Sequence, residues 1–502
     1  MEHHFIGLDA GGTMLKAALF DAHGQEVACV RSPQPMLFPG PGHTERDAHG
    51  MWQAAAEAMR SVLQKAAVSA GSVAGVSVTG YGSGLYVVDG AGQPLRPGIL
   101  STDARCAALV REWQVDGRAA MIAPRIGQRI WPGQSTMLMA WLARHEPGVV
   151  AGASHVLLCK DYLRAQLCGD VSTDPSDAGV SGLYDISNAR YVEDMFGDLG
   201  LAAWRGKLPE VAPSLAVAGT VSLEAASLTG LLAGTPVVRG VLDVAAGAIA
   251  TGVVQPRQMN IIAGTFSINQ TLHQAPRAST PPFLQCAYPL GKLFLATEGG
   301  ATSASNLEWF CKSILDAEGE RAQRAGRTIY DACNAMIAAA PDRCTSILFF
   351  PFLFSGPGGM PAALIGMQAS DRLGDVLRAV FEGIAFAHKV DVLRLLSGVD
   401  AARPDVIRLA GGAAQSPIWA QMFADILELP VEVTHSSELG ALGAAMCTSV
   451  ALGLHSDLGT AVDEWVQVRR RFEPRPEKAE PFRRKFARYH DVMALLAAVP
   501  AP

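Results

Sequence analysis

The chain is short of charge, and neither its cysteines nor its histidines fall into a ligand pattern. Charged residues fill 18% of the 502 positions against 49% apolar, and the formal net charge is −6. A chain so rich in apolar residues builds a core, so disorder is excluded. The acidic balance argues against nucleic acid or an anionic membrane as the main partner. Any bound phosphate must then be held locally, by backbone amides and a metal. No run of about 18 apolar residues occurs, so no membrane span is expected. The stretch 242-LDVAAGAIATGVV-254 is too short and contains an acid. No basic segment precedes an apolar one in MEHHFIGLD, so no signal peptide is expected. The nine cysteines are scattered without a C-x-x-C pair, which fits reduced thiols in a cytoplasmic protein. His43, His155, His388 and His435 lie far apart, and no H-x-x-x-H occurs, so structural or surface roles are favoured over metal binding. The Walker loop G-x-x-x-x-G-K-[ST] and the spaced third glycine of a dinucleotide fold are both missing.

The length implies two large domains or three smaller ones. The N-terminus reads as strands over 5–8, 14–20 and 26–30 joined by turns. Met51, Ala55, Met59, Val62, Leu63 and Ala66 mark one face of a helix over 51–67. Strands are expected over 73–80 and 85–94, and helices over 105–113, 137–145 and 160–167. A Pro- and Gly-punctuated stretch over 206–238 suggests a domain junction near its end. A second strand–turn–strand follows, 258-QMNIIAGTFSINQTLH-273. Two halves opening alike suggest a duplicated α/β domain with a cleft between the copies. Further on, a strand runs into Gly411-Gly412, Ser416 caps a helix with Pro417 at its first position, and Pro430 stops it. Ser437 can cap the next helix, in which Gly440, Gly443 and Ala444 let a neighbour pack close. The basic stretch 469–490 reads as a solvated C-terminal helix packing back on the body.

The first turn, 9-DAGGT-13, has two readings. Gly11 and Gly12 permit positive φ, so amides can converge on an anion, with Thr13 adding a hydroxyl and Lys16 a charge. Asp9 would repel a bare phosphate but suits one approached through Mg²⁺. An ordinary hairpin turn fits the same residues equally well. Asp243 is an acid in a small, apolar run, costly to bury alone. By itself it reads as a helix-capping aspartate. Gly299-Gly300 fits a nucleotide loop or a turn equally.

In order along the chain, D-x-G-G-T at 9–13, 240-GVLDVAAGA-248, AGT at 263–265, 375-DVLRAVFEGIAFAHKVDVLRLL-396 and AGGA at 410–413 resemble the FGGY carbohydrate kinases. That family belongs to the sugar kinase, heat-shock-70 and actin superfamily. The stretches 99-ILSTDARC-106, 159-CKDYLRAQLCGD-170 and 305-SNLEWF-310 are most similar to its pentulose kinases, L-xylulose kinases among them. The resemblance implies an α/β fold of two ribonuclease-H-like domains with an interdomain cleft. They would span 1–239 and 240–465, followed by a helical tail over 466–502. It implies transfer of the γ-phosphate of ATP to a small ketose or polyol, with xylulose-type pentuloses foremost. Asp243 takes the place of the catalytic base. Asp9 and Asp243 would face Mg²⁺. Gly11, Gly12, Thr13 and Lys16 would meet one side of the phosphates, and Gly264 and Thr265 the other. Gly299 and Gly300 would join the nucleotide site, while Gly411, Gly412, Ala413 and Ser416 would meet the adenosine. Tyr81, Gly82, Ser83, Asp103 and Arg105 would line the acceptor site with Asp243, and the segment of Asp174 and Ser176 would border it. Tyr81-Gly82-Ser83 replaces the Gln-Met-His usual in D-xylulose kinases, and Ser101-Thr102 replaces their Trp-Asn. The small Gly82-Ser83 pair suggests a different or roomier pocket. Lys160, Asp161 and Tyr162 match a family patch, but a salt-bridged helix start is the better reading. Rival readings are an erythritol-type tetritol or hexulose acid as acceptor, a non-catalytic sugar or nucleotide sensor, and an actin-like assembling ATPase. The sequence leaves room for a homodimer.

Overall fold

A computed structural model describes residues 3–277, 281–341, 344–354, 356–397, 403–435 and 438–498. The chain forms two compact units. The first comprises Met1–Val254, His273–Ala296 and Ser436–Gln467, and the second Gln255–Leu272, Thr297–His435 and Val468–Pro502.

In the first unit the strand His4–Ala10 is central. It pairs antiparallel with Met14–Phe20, placing Asp9 opposite Lys16, and parallel with Val73–Gly80, placing Asp9 opposite Thr79. Glu26–Pro33 lies beyond Met14–Phe20, and Pro236–Val238 and Val217–Thr220 beyond Val73–Gly80. Side chains alternate across a strand. Ile6, Leu8 and Ala10 therefore join the core under the helix Ala48–Ala66, with Met51, Ala55, Met59, Val62 and Leu63 of that helix. Gly7 and Asp9 face the other way, against the helix Leu439–Ala451. A Cβ on Gly7 would lie 1.8 Å from the Ala441 carbonyl oxygen, and one on Gly440 would lie 2.5 Å from Asp9 Cγ. On Gly443 it would lie 2.2 Å from the Ala246 carbonyl oxygen. The small residues expected to admit a close neighbour thus seat this helix on the first strand and on the helix that begins at Asp243. Ser437 lies outside the described residues.

The second unit repeats the opening plan. Gln258–Ala263 pairs antiparallel with Ser267–His273 and parallel with Val406–Gly411. Val431–Thr434 follows in parallel. The long helix Leu373–Leu396 and the helix Pro417–Leu427 pack on this sheet through Phe381, Ile384, Trp419 and Phe423. As expected, Ser416 caps the second of these, accepting from the Trp419 amide at 3.1 Å.

Three expectations change. Residues 468–472 are a strand, not helix. They extend the sheet antiparallel to Val431–Thr434, with Arg471 on Glu432 at 2.6 Å. Its charged, largely exposed Val-Arg-Arg-Arg-Phe run suits a sheet edge. The C-terminal helix, Pro476–Leu496, starts only after this and does pack back, burying Phe482, Lys485 and Tyr489. The strand expected over 85–94 is confined to Tyr86–Val88, because Asp89 Oδ1 accepts from the Ala91 and Gln93 amides and turns the chain. The helix expected from Arg105 begins at Ala107, because Asp103 holds the Arg105 amide in a turn at 2.9 Å. No described helix is long and apolar enough to cross a membrane.

Candidate active site

The turn after the first strand is tight. The Gly11 amide closes on the Met14 carbonyl at 3.0 Å, and a Cβ on Gly11 would crowd that same oxygen at 2.8 Å. Neither Gly11 nor Gly12 occupies the left-handed region, so positive φ is not why they are there. Gly12 has nothing within 4 Å of its missing Cβ, and Thr13 is exposed. The Gly11 and Gly12 carbonyls are drawn inward by the buried Arg46 guanidinium. The Gly12 and Thr13 amides keep no acceptor among the described residues. A turn with its carbonyls tied back and its amides free suits an anion.

Asp9 sits beneath this turn. Burial, opposed by Lys16 and reinforced by Glu438, lifts its pKa to about 6. Lys16 is held by Glu438 at 3.1 Å and lies 3.9 Å from Asp9. Its charge is therefore committed to carboxylates. Burial opposes its charged form, but Asp9 and Glu438 prevail and raise its pKa.

Asp243 opens the helix Asp243–Ala250. Its Oδ1 accepts from the neighbouring Val244 amide at 2.6 Å. Burial, and then the Asp9 charge, push its pKa up to about 7 against that hydrogen bond. Asp9 and Asp243 are oxygen donors of the kind that could hold a hard cation such as Mg²⁺. Among the described residues no group of three or more His, Cys, Asp or Glu is placed to hold a metal ion. Further ligands would have to come from water and the nucleotide.

The acceptor candidates separate. Tyr81 lies under Arg46, 5.7 Å from its ring centroid, and its hydroxyl meets the Tyr86 hydroxyl at 2.6 Å. Gly82 does not open a roomier pocket: a Cβ there would strike Leu242 Cδ1 at 2.5 Å and Val180 Cγ2 at 2.7 Å. Ser83, buried at φ 59°, donates to the Val180 carbonyl at 2.8 Å. Asp103 and Arg105 hold each other. The carboxylate accepts from the Thr44 amide at 2.6 Å and from Arg105 Nε at 2.9 Å, and Arg105 also reaches Glu45 at 2.6 Å. Both side chains are closed to solvent. Lys160 begins its helix salt-bridged, as expected, but at zero exposure and to three carboxylates.

In the second unit a cavity of about 470 Å³ opens between the end of the sheet and the flanking helices. Gly264, Thr265, Gly412 and Ser416 all line it. Leu307, Phe381 and Trp419 give it an apolar floor, with Phe381 and Trp419 ring centroids 4.5 Å apart. Glu308, Asn334 and Gln415 add polar groups. Gly411 is needed at φ 81°, where a Cβ would lie 2.6 Å from the Ala263 backbone. A Cβ on Gly412 would make only ordinary contacts from 3.5 Å outward, so its absence serves what enters the cavity. Ala413 is buried beneath. Ser416 also donates to Asn334 Oδ1 at 2.6 Å, so cap and cavity wall are one residue. Gly299 and Gly300 end the strand Phe294–Gly300. There Gly300 donates to Ser267 Oγ at 2.9 Å, and a Cβ on Gly299 would meet the Ser267 carbonyl at 2.0 Å. They are strand residues, neither loop nor turn. An apolar floor, a polar rim and a glycine opening of this size suit a nucleoside.

The chain matches the N-terminal domain of the FGGY family of carbohydrate kinases over residues 4–250 and the C-terminal domain over 259–452. This protein belongs to the FGGY family of carbohydrate kinases. The FGGY kinase is 32% identical over 501 residues to the probable L-xylulose kinase of Pasteurella multocida, covering 99% of this chain and 100% of the relative. It is also 32% identical over 499 residues to the L-xylulose/3-keto-L-gulonate kinase of Escherichia coli, covering 99% and 98%. Its fold is that of a ligand-bound xylulose kinase from Lactobacillus acidophilus, with a TM-score of 0.88, 22% identity and 99% of each chain covered. The FGGY kinase is thus a two-domain mixed α/β protein and a carbohydrate kinase acting on a small sugar.

Proposed function

We propose that this FGGY kinase transfers the γ-phosphate of ATP to a hydroxyl of a small ketose, a five-carbon ketulose of the L-xylulose type. Asp243 carries the reading: an acid at a helix start whose pKa of about 7 sits where a general base works best. In the reaction the acceptor oxygen forms its bond to the γ-phosphorus as the bond to the β–γ bridging oxygen breaks. ADP leaves with that electron pair, and the acceptor proton passes to Asp243. Positioning and charge neutralisation supply most of the rate. Gly12 and Thr13 offer free amides to phosphate oxygens. Mg²⁺, when bound with ATP, would neutralise phosphate charge, and Asp9 with Asp243 would hold it through oxygen donors. The second unit's cavity would take the nucleoside, with Gly264 and Thr265 at its phosphate end and Gly412 against the adenosine.

Asp103 and Arg105 are assigned to building the acceptor wall rather than to direct sugar contact, because each is spent on the other. Similarity along the whole chain to two proteins named for L-xylulose supports the ketulose. The setting is proposed to be cytoplasmic. ADP release measured with L-xylulose, D-xylulose, 3-keto-L-gulonate, erythritol and gluconate tests the reading. It expects stimulation foremost by a ketulose. Stimulation by a tetritol or an aldonic acid alone would overturn the acceptor class.

A further inference from the structure

Asp243 can act as a base only if its carboxylate stays in one place, yet the helix it opens is short and is fed by a glycine-started loop. Gly240 lies at φ 76°. In each residue of 240–242 a backbone group is tied to another segment. The Gly240 amide donates to the Ser214 carbonyl at 3.1 Å. The Val241 carbonyl accepts from Thr79 Oγ1 at 2.6 Å. The Leu242 amide donates to Ser176 Oγ at 2.9 Å.

Two of these three ties come from serines whose hydroxyls converge on one carboxylate. Asp174 Oδ2 accepts from Ser176 Oγ at 2.6 Å and from Ser214 Oγ at 2.7 Å. Its Oδ1 lies 3.1 Å from Lys160 Nζ. Lys160 is itself fixed by Asp161 at 2.8 Å and Asp177 at 3.2 Å, all with side chains at zero exposure. Asp161 in turn holds Arg164 at 2.9 Å. Taking this many charges out of water is expensive, and similar packing from apolar residues would cost less. What the ionic cluster adds is direction: it holds the Ser176 hydroxyl toward the Leu242 amide and pins the Ser214 side chain, whose backbone carbonyl meets Gly240.

Resting on the reading of Asp243 as the base, we propose that Ser176, backed by Asp174 and Lys160, and Thr79 are positioning residues that clamp residues 240–242 and so set the Asp243 carboxylate against the acceptor hydroxyl. Ser176 acts through the Leu242 backbone and touches no reacting atom. Misplacement of a catalytic group by about 1 Å costs on the order of 100-fold in rate. Losing one of the two side-chain ties is therefore expected to cost about 10- to 100-fold in kcat.

The test compares Ser176→Ala with Thr229→Val in the full chain. Thr229 is a buried hydroxyl of the same unit that donates to the Ala225 carbonyl at 2.8 Å, away from the loop. Both variants should lower the melting temperature. Only Ser176→Ala should lower kcat by about tenfold or more, with the KM for ATP within about twofold, because the residues assigned to the nucleoside lie in the other unit. A folded Ser176→Ala with wild-type kcat, or an equal kcat loss in Thr229→Val, would overturn the clamp. If Ser176→Ala does not fold, Thr79→Val decides: a kcat loss of about tenfold or more supports the clamp, and wild-type kcat overturns it. The underlying reading fails separately, if the wild type shows no ketose-dependent ADP release or if Asp243→Asn turns over normally.

Discussion

Replacing the proposed base should make the ligand-free protein more stable. The pKa of Asp243 is raised from 3.8 to about 7, chiefly by burial and then by Asp9. A raised carboxyl binds its proton more tightly in the folded than in the unfolded chain. Stability therefore falls as pH rises from about 4 to about 7, and stays reduced above that. Roughly 3 units at about 1.4 kcal/mol each bound the cost near 4 kcal/mol. Asp243 is partly open to solvent, which screens that cost to about 2 kcal/mol. Asparagine keeps the shape and still accepts from the Val244 amide, but carries no charge. Urea unfolding in a metal chelator should find Asp243→Asn more stable by about 2 kcal/mol near pH 8, and by under about 1 kcal/mol near pH 5. A variant equal to or less stable than wild type near pH 8 would show that the ionised Asp243 carboxylate carries no such cost. So would a gain that does not shrink in acid, since it could not come from the ionised carboxylate.

The kcat/KM for the acceptor should fall as pH drops below about 7, since the free enzyme's base must lose its proton, and the kcat/KM profile of Asp243→Asn should lack that acid limb. Gly412→Val should raise the KM for ATP by about tenfold or more with little change in melting temperature, because the nearest protein atoms lie 3.5 Å or more from a Cβ there while the cavity is filled. Equal KM values would remove Gly412 from the nucleotide site. Gly440→Ala should cost about 1–3 kcal/mol in urea unfolding and lower kcat, since its Cβ would lie 2.5 Å from Asp9 Cγ. Unchanged kcat would show that Asp9 can move without consequence.

The parts legible in the sequence are local. A strand, two glycines and a threonine announced the first turn, and Gly440 and Gly443 announced a close helix. Ser416 and Pro417 marked their helix start because capping is decided within one turn of chain. The charged strand over 468–472 was misread because a basic run is compatible with either a solvated helix or a sheet edge, and pairing with Val431–Thr434 is not written locally. Glu438 on Lys16 and Arg46 behind Gly11 and Gly12 were missed for the same reason: each partner lies more than thirty residues away. Asp103 was visible as an acid, but not as one already filled by Thr44 and Arg105. The cavity residues Glu308, Asn334 and Gln415 carry no motif of their own, and only the fold brings them to Gly412.

Asp243 is proposed to receive the acceptor proton during phosphoryl transfer. Formation of the sugar phosphate, followed with saturating ATP, Mg²⁺ and ketulose, tests that role in wild type and Asp243→Asn side by side, with ATP binding measured for both. Ketulose-dependent product is expected from the wild type, and the variant should bind ATP normally but turn over at least about two orders of magnitude more slowly. Turnover by the variant near the wild-type rate would contradict that role.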